Sequence, residues 1–300
     1  IMATRDVMMA DRYMYLPIVG VFLLMAYGIS LAGERFKLSN QVLYGIFGVY
    51  VLALVAGSFQ RSNVWQNSID LFTDVIDKAE AKEGTRSPYL SVAYNNRGIA
   101  YKDNQQYDLA SADYQKAVNV NPSDAKSYTN LGNIKFLNQD YNGAIQDYSK
   151  AIEMEDLTGS SYSSRGAAYA MQGQYELAAV DLEAALKIDA YHVDALRNLS
   201  MVHYYRQRLD EGITIADRYF QLRPGDADMV NLYGLMYFQK GDNQRALAEF
   251  NRSIQMNPNS GTFYVNRALV HERMGNSAAK VQDAQKAQSL GAQVNANLLR

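Results

Sequence analysis

Two patterns of apolar and polar positions divide the chain. From Tyr13 to Ala32 it reads YMYLPIVGVFLLMAYGISLA, and from Val42 to Phe59 it reads VLYGIFGVYVLALVAGSF, neither with a charged residue. Helical runs of roughly 18 to 20 residues rise about 27–30 Å, close to the thickness of a bilayer's hydrocarbon core. They predict two membrane-spanning helices joined by the polar turn GERFKLSNQ. Tyr13, Tyr15 and Tyr44 fall near the expected interfaces, where amphipathic rings are favoured. A buried hairpin in a soluble core is the competing reading, but uncharged runs of this length favour spans. A secretory signal fits the first run poorly, because Asp11 precedes it and a second apolar run follows.

After Phe59 the apolar positions switch to helical spacing. Trp65, Phe72 and Val75, with the small Ser68, share one face and predict a capping helix from Asn63 to Lys82, which GTRSPYL then breaks with Gly84, Ser87 and Pro88. From Ser91 one pattern recurs every 34 residues. The first unit carries Tyr94, Gly98, Tyr101, Ala110, Tyr114, Ala117 and Pro122, and the second repeats Tyr128, Gly132, Ala144, Tyr148 and Ala151 at the same offsets. Tyr162, Gly166, Tyr169, Ala178 and Ala185 follow in the third. A fourth unit is looser, a fifth restores Gly234, Tyr237, Ala246, Phe250 and Pro258, and a sixth keeps Tyr264, Ala268, Ala284 and Ala287. The expected organisation is therefore a membrane anchor over 1–61, a capping helix and loop over 62–90, six units (91–124, 125–158, 159–192, 193–226, 227–260, 261–294) and a tail over 295–300.

These columns resemble the tetratricopeptide repeat: aromatic at offset 4, Gly at 8, Tyr at 11, Ala at 20, aromatic at 24, Ala at 27 and Pro at 32. Small residues at 8, 20 and 27 let two antiparallel helices approach, and large ones at 4, 11 and 24 fill the space beside them. Proline ends the second helix because its ring nitrogen cannot donate. The expected fold is all-α: a two-span helical hairpin, a capping helix and an α-solenoid of about six repeats with a concave face.

Charge and composition remove several function classes. Lys and Arg number 29 against 31 Asp and Glu, a balance that gives no footprint for nucleic acid. Without cysteine there are neither disulfides nor thiolate metal sites. His203 and His271 stand in the offset-11 column as substitutes for a packing tyrosine, two units apart, and His192 falls in a turn, so no metal or other cofactor is expected. No phosphate loop, dinucleotide fingerprint or Ser/His/Asp grouping is present, and the chain itself is read as non-catalytic.

Offset 6, on the first helix of each unit and directed to the concave side, reads Asn96, Asn130, Ser164, Asn198, Leu232 and Asn266. An asparagine offers an acceptor and two donors, so such a row can hold the backbone of an extended peptide. It resembles the asparagine ladder in the repeats of the O-linked N-acetylglucosamine transferase; a solvated row without a ligand is the alternative. Asn133, Arg197 and Asn231 add polar groups nearby, and Tyr204 and Tyr205, outside the packing columns, are candidate aromatic anchors. The expected partner is a protein or peptide segment held by a membrane-anchored scaffold.

At the amino end, ADRYMYLPIVG from Ala10 to Gly20 resembles a segment preceding late spans in transmembrane-and-tetratricopeptide-repeat O-mannosyltransferases, with Ile18 in place of the usual serine. The Arg61 to Trp65 segment before the repeats is similar too. This resemblance implies a glycosyltransferase catalytic part upstream of Ile1 and repeats facing the periplasm of a bacterial inner membrane, or a eukaryotic lumen. Asp11 reads best as an interfacial partner of Arg12. Basic residues are even on both sides of the expected spans, leaving a cytosolic orientation open. A structural subunit of a membrane assembly is the third reading.

Overall fold

The computed structural model describes residues 39–63, 67–83, 87, 89–155 and 157–300 and positions 27, 28, 30, 31, 33 and 35, with side chains for all of these except 40, 53–63 and 83. Every regular element among them is helical. Two compact units divide the chain, Ile1–Ser127 and Tyr128–Arg300.

In the first unit, α1 spans Asn40–Asn63, α2 Ser68–Glu83, α3 Leu90–Asp103 and α4 Tyr107–Val120. The backbone of α1 contains the second expected span, but its side chains are described only from Gln41 to Leu52, a rise of about 18 Å. Among the described residues no helix is long and apolar enough to cross a membrane. Most of the first expected span and the whole Ala10–Gly20 segment, Asp11 included, lie outside the described residues, so no two-span hairpin is seen.

The capping helix opens at Ser68 and not at Asn63, because Asn67 Oδ1 accepts the Asp70 amide at 2.8 Å and so caps it. From α2, Ile76 packs into Leu90, Ala93, Tyr94 and Ala117, and the Tyr94 hydroxyl donates to Glu80. This covers the apolar face that the first repeat would otherwise expose.

Helix α5, Ala125–Leu137, crosses the boundary between the units. The second unit continues with α6 Tyr141–Glu153, α7 Ser160–Met171, α8 Tyr175–Ile188, α9 Val193–Tyr205, α10 Leu209–Leu222, α11 Ala227–Gln239, α12 Asn243–Met256, α13 Gly261–Arg273 and α14 Ser277–Ser289. Each hairpin turns at one offset where the backbone is left-handed: Gln105, Gln139, Gly173, Gln207, Gly241 and Gly275 have φ between 58° and 83°. Packing follows the columns. Ala144, Ala178, Ala246, Ala151, Ala185 and Ala287 are wholly buried, and a Cβ added at Gly132 would stand 2.5 Å from the Tyr148 ring. The looser fourth repeat inverts two columns, with Ala216 where the first, second and fifth carry an aromatic and Tyr219 where the others carry Ala or Ser. The Tyr219 hydroxyl donates to Asp226 at 2.6 Å. At the end of the chain, Ala296–Leu299 forms a 3-10 turn whose Leu298 packs against Ala268 and Ala284, so part of the expected tail is a lid on the last repeat.

A staple runs through several repeats. Arg165 on α7 grips Asp181 on α8 through Nε at 2.7 Å and Nη2 at 2.8 Å, while Nη1 donates to Ser149 of the preceding repeat at 2.9 Å. Arg267 does the same with Asp283 at 2.7 and 2.6 Å and with Asn251 at 2.7 Å. In the first unit Arg97 joins Asp113 to Thr73 of the capping helix. Planar bidentate pairs of this kind, buried between helices, fix the register of one hairpin on the next.

Candidate functional site

The candidate ligand positions sit on the first helix of each hairpin. In the first unit Asn96 is half-buried on α3, beside Asn95, which accepts from Ser127 at 3.3 Å. In the second unit Asn130, Ser164, Asn198, Leu232 and Asn266 occupy matching places on α5, α7, α9, α11 and α13, all half-buried.

Three of the residues singled out from sequence come together. Asn133, Ser164 and Asn198 line a cavity of about 350 Å³ bordered by α5, α7 and α9. Inside it the Tyr148 hydroxyl donates to Asn133 Oδ1 at 2.8 Å and is hydrogen-bonded by Ser164. Burial pushes that phenol well above its ordinary range, so it stays neutral. Thr129, Phe136, Ser160 and Ser163 complete the wall, with His192 and Asp194 at one end. The Thr129 and Ser161 hydroxyls stand 2.6 Å apart, and His192 Nδ1 accepts the Ala195 amide at 3.4 Å, capping α9. The lining is thus mostly hydroxyls and amides, with Phe136, Ala167, the His192 imidazole and one carboxylate, Asp194.

Five other candidates are engaged elsewhere. Asn266 Nδ2 donates to Asn231 Oδ1 at 2.8 Å, pairing two candidates with each other. Arg197 lies 3.4 Å from Asp226, which caps α11 by accepting the Asp228 and Met229 amides. Burial alone would raise the Asp226 carboxyl; the Tyr219 hydroxyl, those amides and Arg197 hold it below the usual range. Tyr205 stacks on Tyr175 at 5.1 Å with planes 6° apart, and Tyr204 meets it edge-on at 5.4 Å, so the tyrosine pair joins α9 to the start of α8 and does not line the cavity.

Sequence reasoning missed the Ser160, Ser163 and Thr129 contribution. Small polar residues at these offsets belong to no packing column, and a run of serines signals little by itself. Among the described residues no group of three or more His, Asp or Glu could hold a metal ion.

The fold and site define an all-α protein of stacked helical hairpins carrying tetratricopeptide repeats. The family model "Tetratricopeptide repeat" matches residues 91–124 and 125–155, and the model "TPR repeat" matches 234–275. Among solved structures, YrrB, described as "a TPR protein with an unusual peptide-binding site", is 22% identical with a TM-score of 0.52, the match covering 61% of this chain and 92% of YrrB. A tetratricopeptide repeat protein from Parabacteroides merdae is 19% identical with a TM-score of 0.55, over 82% of this chain and 96% of that one. Pseudomonas aeruginosa pilF is 15% identical with a TM-score of 0.60, over 67% and 91%. At these identities the likeness is one of fold. No curated protein matches the chain by sequence.

Proposed function

We propose that the second unit is an interaction scaffold that holds an extended polypeptide by its backbone in the cavity between α5, α7 and α9. The observation that carries this reading is the lining: Thr129, Asn133, Ser163, Ser164 and Asn198 offer donors and acceptors at helix spacing, and Asp194 is the one carboxylate among them. Uncharged groups of this kind suit peptide N–H and C=O groups, with little discrimination between side chains. YrrB's described peptide-binding site is in keeping with it. Ser164, where the asparagine row is broken, still reaches into the cavity as a hydroxyl. The scaffold is itself non-catalytic in this reading.

Attachment to a membrane through α1 is part of the proposal. Support comes from the uncharged run Val42–Phe59 and from Tyr44, Val49 and Leu52 on α1, which are 75%, 69% and 69% exposed. Apolar side chains left this open on a long helix need lipid or protein around them.

Peptides selected on the wild-type chain from a random library provide the test of the groove. Replacing Ser164 and Asn198 by Ala removes two hydrogen bonds of about 1 kcal/mol each, so affinity should fall about tenfold or more. Tm should fall only slightly, because the Tyr148 hydroxyl loses its bond from Ser164 but keeps the one to Asn133. N-methylation of single peptide bonds should abolish capture where side-chain substitutions do not. Capture unaffected by both the double variant and N-methylation would end the groove reading.

A further inference from the structure

The second helix of each hairpin turns one face away from its own core, and on α8 that face differs from the rest. Offset 26 carries a cation in five repeats, Lys116, Lys150, Arg218, Arg252 and Lys286, but Ala184 in the third. One and two turns before it stand Val180 and Leu177, 65% and 49% exposed, and one turn after it Ile188, 45% exposed, prolongs the stripe. At the offset of Val180 the other repeats of the second unit carry Gln146, Thr214, Ala248 and Gln282, all small or polar. Positions three, four and seven residues apart share one face of a helix, so these four side chains form a single apolar stripe. The opposite face of α8 is already filled, with Ala178, Leu182 and Ala185 wholly buried. The stripe therefore does nothing for the hairpin's own core, and none of its residues lines the groove. It leaves roughly 300 Å² of contiguous apolar surface open, the size at which a patch on a protein surface marks an interaction site.

We propose that this stripe pairs with the same stripe of a second copy of the chain, α8 lying antiparallel on α8 across a two-fold axis near Val180. The charges around the stripe are complementary to themselves under that operation. Glu176, with a side chain 79% exposed and 3.5 Å from Arg206, stands at the amino-terminal end, and exposed Lys187 stands at the other. On the neighbouring α10, exposed Glu211 and Arg218, whose Nη2 donates to the Ala190 carbonyl at 2.8 Å, are arranged in the same order. Antiparallel pairing sets Glu176 against the partner's Lys187, Glu211 against the partner's Arg218 and Leu177 against the partner's Ala184. The midpoints of the two pairs on α8 fall between Val180 and Leu182, and that of the pair on α10 at the matching offset, so one axis satisfies all three. Parallel pairing would set each charge on its own like. Ala184 at the crossing lets the helices approach, where a Lys or Arg, as in the other repeats, would hold them apart. An isologous contact of this kind closes at two copies. The apolar stripe with its charged rim lies at the low end of specific interfaces, about 600 Å² per subunit, so the dimer is weak and reversible, with a Kd in the micromolar range.

The chain has no cysteine, so a single introduced thiol reports the arrangement in the full chain, in detergent or in membranes. Val180→Cys lies next to its own copy and should form a disulfide-linked dimer on mild oxidation, which needs Cα atoms within about 7 Å. Ile188→Cys, about 22 Å along the helix from its own copy, should stay monomeric. Leu177→Cys mixed with Ala184→Cys should cross-link more than either alone. Ala184→Lys installs the residue type of the other repeats. It should abolish cross-linking in the Val180→Cys chain and, without any thiol, convert the dimer to monomer in sedimentation under density-matched detergent, with melting unchanged. Should it not fold, Glu176→Lys is compared with the double Glu176→Lys and Lys187→Glu: the single should lose the dimer and the double recover it. A wild-type chain monomeric well above micromolar concentration, equal cross-linking at Val180→Cys and Ile188→Cys, or no recovery in the double would overturn the proposal. A dimer that survives Ala184→Lys would be held elsewhere, α1 included, and would overturn it too.

Discussion

A methyl group added at Gly132 meets the ring of Tyr148, itself only 1% exposed, at 2.5 Å. Alanine in a helix interior gains about 1 kcal/mol over glycine, but forcing a buried aromatic out of its place costs about 1–3 kcal/mol. The clash wins because the ring sits between two helices and cannot swing away. Gly132→Ala should lower Tm, and Gly132→Leu should unfold the neighbouring hairpins, both readable by circular dichroism. The left-handed turn at Gln139 behaves oppositely. There φ is 62°, strained for a residue with a Cβ, so Gln139→Gly should stabilise by up to about 1 kcal/mol. His203 adds a pH dependence of known sign. Burial, then Arg206, holds its pKa below 6.5, so the imidazole stays neutral in the folded chain while the unfolded chain takes up a proton first. Stability is therefore full above about pH 6.5 and is lost as pH falls toward the folded-state value. Tm measured from pH 8 to pH 5 should drop across that window, and His203→Tyr, which restores the residue found at Tyr101, Tyr169 and Tyr237, should flatten the drop.

Between elements, the arginine staples do what the packing columns cannot. Asp181 has a side chain 6% exposed, so Arg165→Leu alone leaves a buried carboxylate without its partner, a loss of about 3–5 kcal/mol. The double change Arg165→Leu with Asp181→Ile copies the Leu199 and Ile215 of the fourth repeat and should recover most of that loss, because apolar replacement of a whole buried pair is often neutral. Urea unfolding of the singles and the double closes the cycle. This staple shows why part of the fold was legible in the sequence and part was not. Gly, Ala and aromatic columns recur at a fixed period, and each residue type performs one packing task wherever it stands. Arg165 and Asp181 are 16 residues apart, recur in only some repeats and read as surface charge until the hairpin closes. The same reasoning covers the site. The asparagine row was visible as a column, whereas Ser160, Ser163 and Thr129 gain meaning only when α5 and α7 bring them to one wall. Tyr205 looked free because its partner, Tyr175, lies in another repeat. The end of the chain was underread for the same reason: Leu298→Ala should remove about 2–5 kcal/mol from the last hairpin, since the side chain is 2% exposed against Ala268 and Ala284.

For the whole molecule the decisive contrast is between an apolar amino-terminal region and repeats that carry uncharged polar grooves. On the proposed reading, a chain that binds polypeptide backbone with modest discrimination needs its partners delivered, and attachment to a membrane would raise their effective concentration at one surface. Which surface decides what the partners are. Sealed inner-membrane vesicles of known orientation, treated with protease from outside and with detergent as the control, separate the alternatives. With the cytosolic face outward, protection of the repeats until detergent is added is the expected outcome if the resemblance at Ala10 to Gly20 carries through, and it would place the groove where sugars are transferred to acceptor proteins. Digestion without detergent would make the repeats a cytosolic docking platform and detach them from any glycosyltransferase role. Recovery of the chain in the soluble fraction after washing with alkaline carbonate would go further, because exposed Tyr44, Val49 and Leu52 would then have to be covered by protein, and α1 would become a second interaction surface.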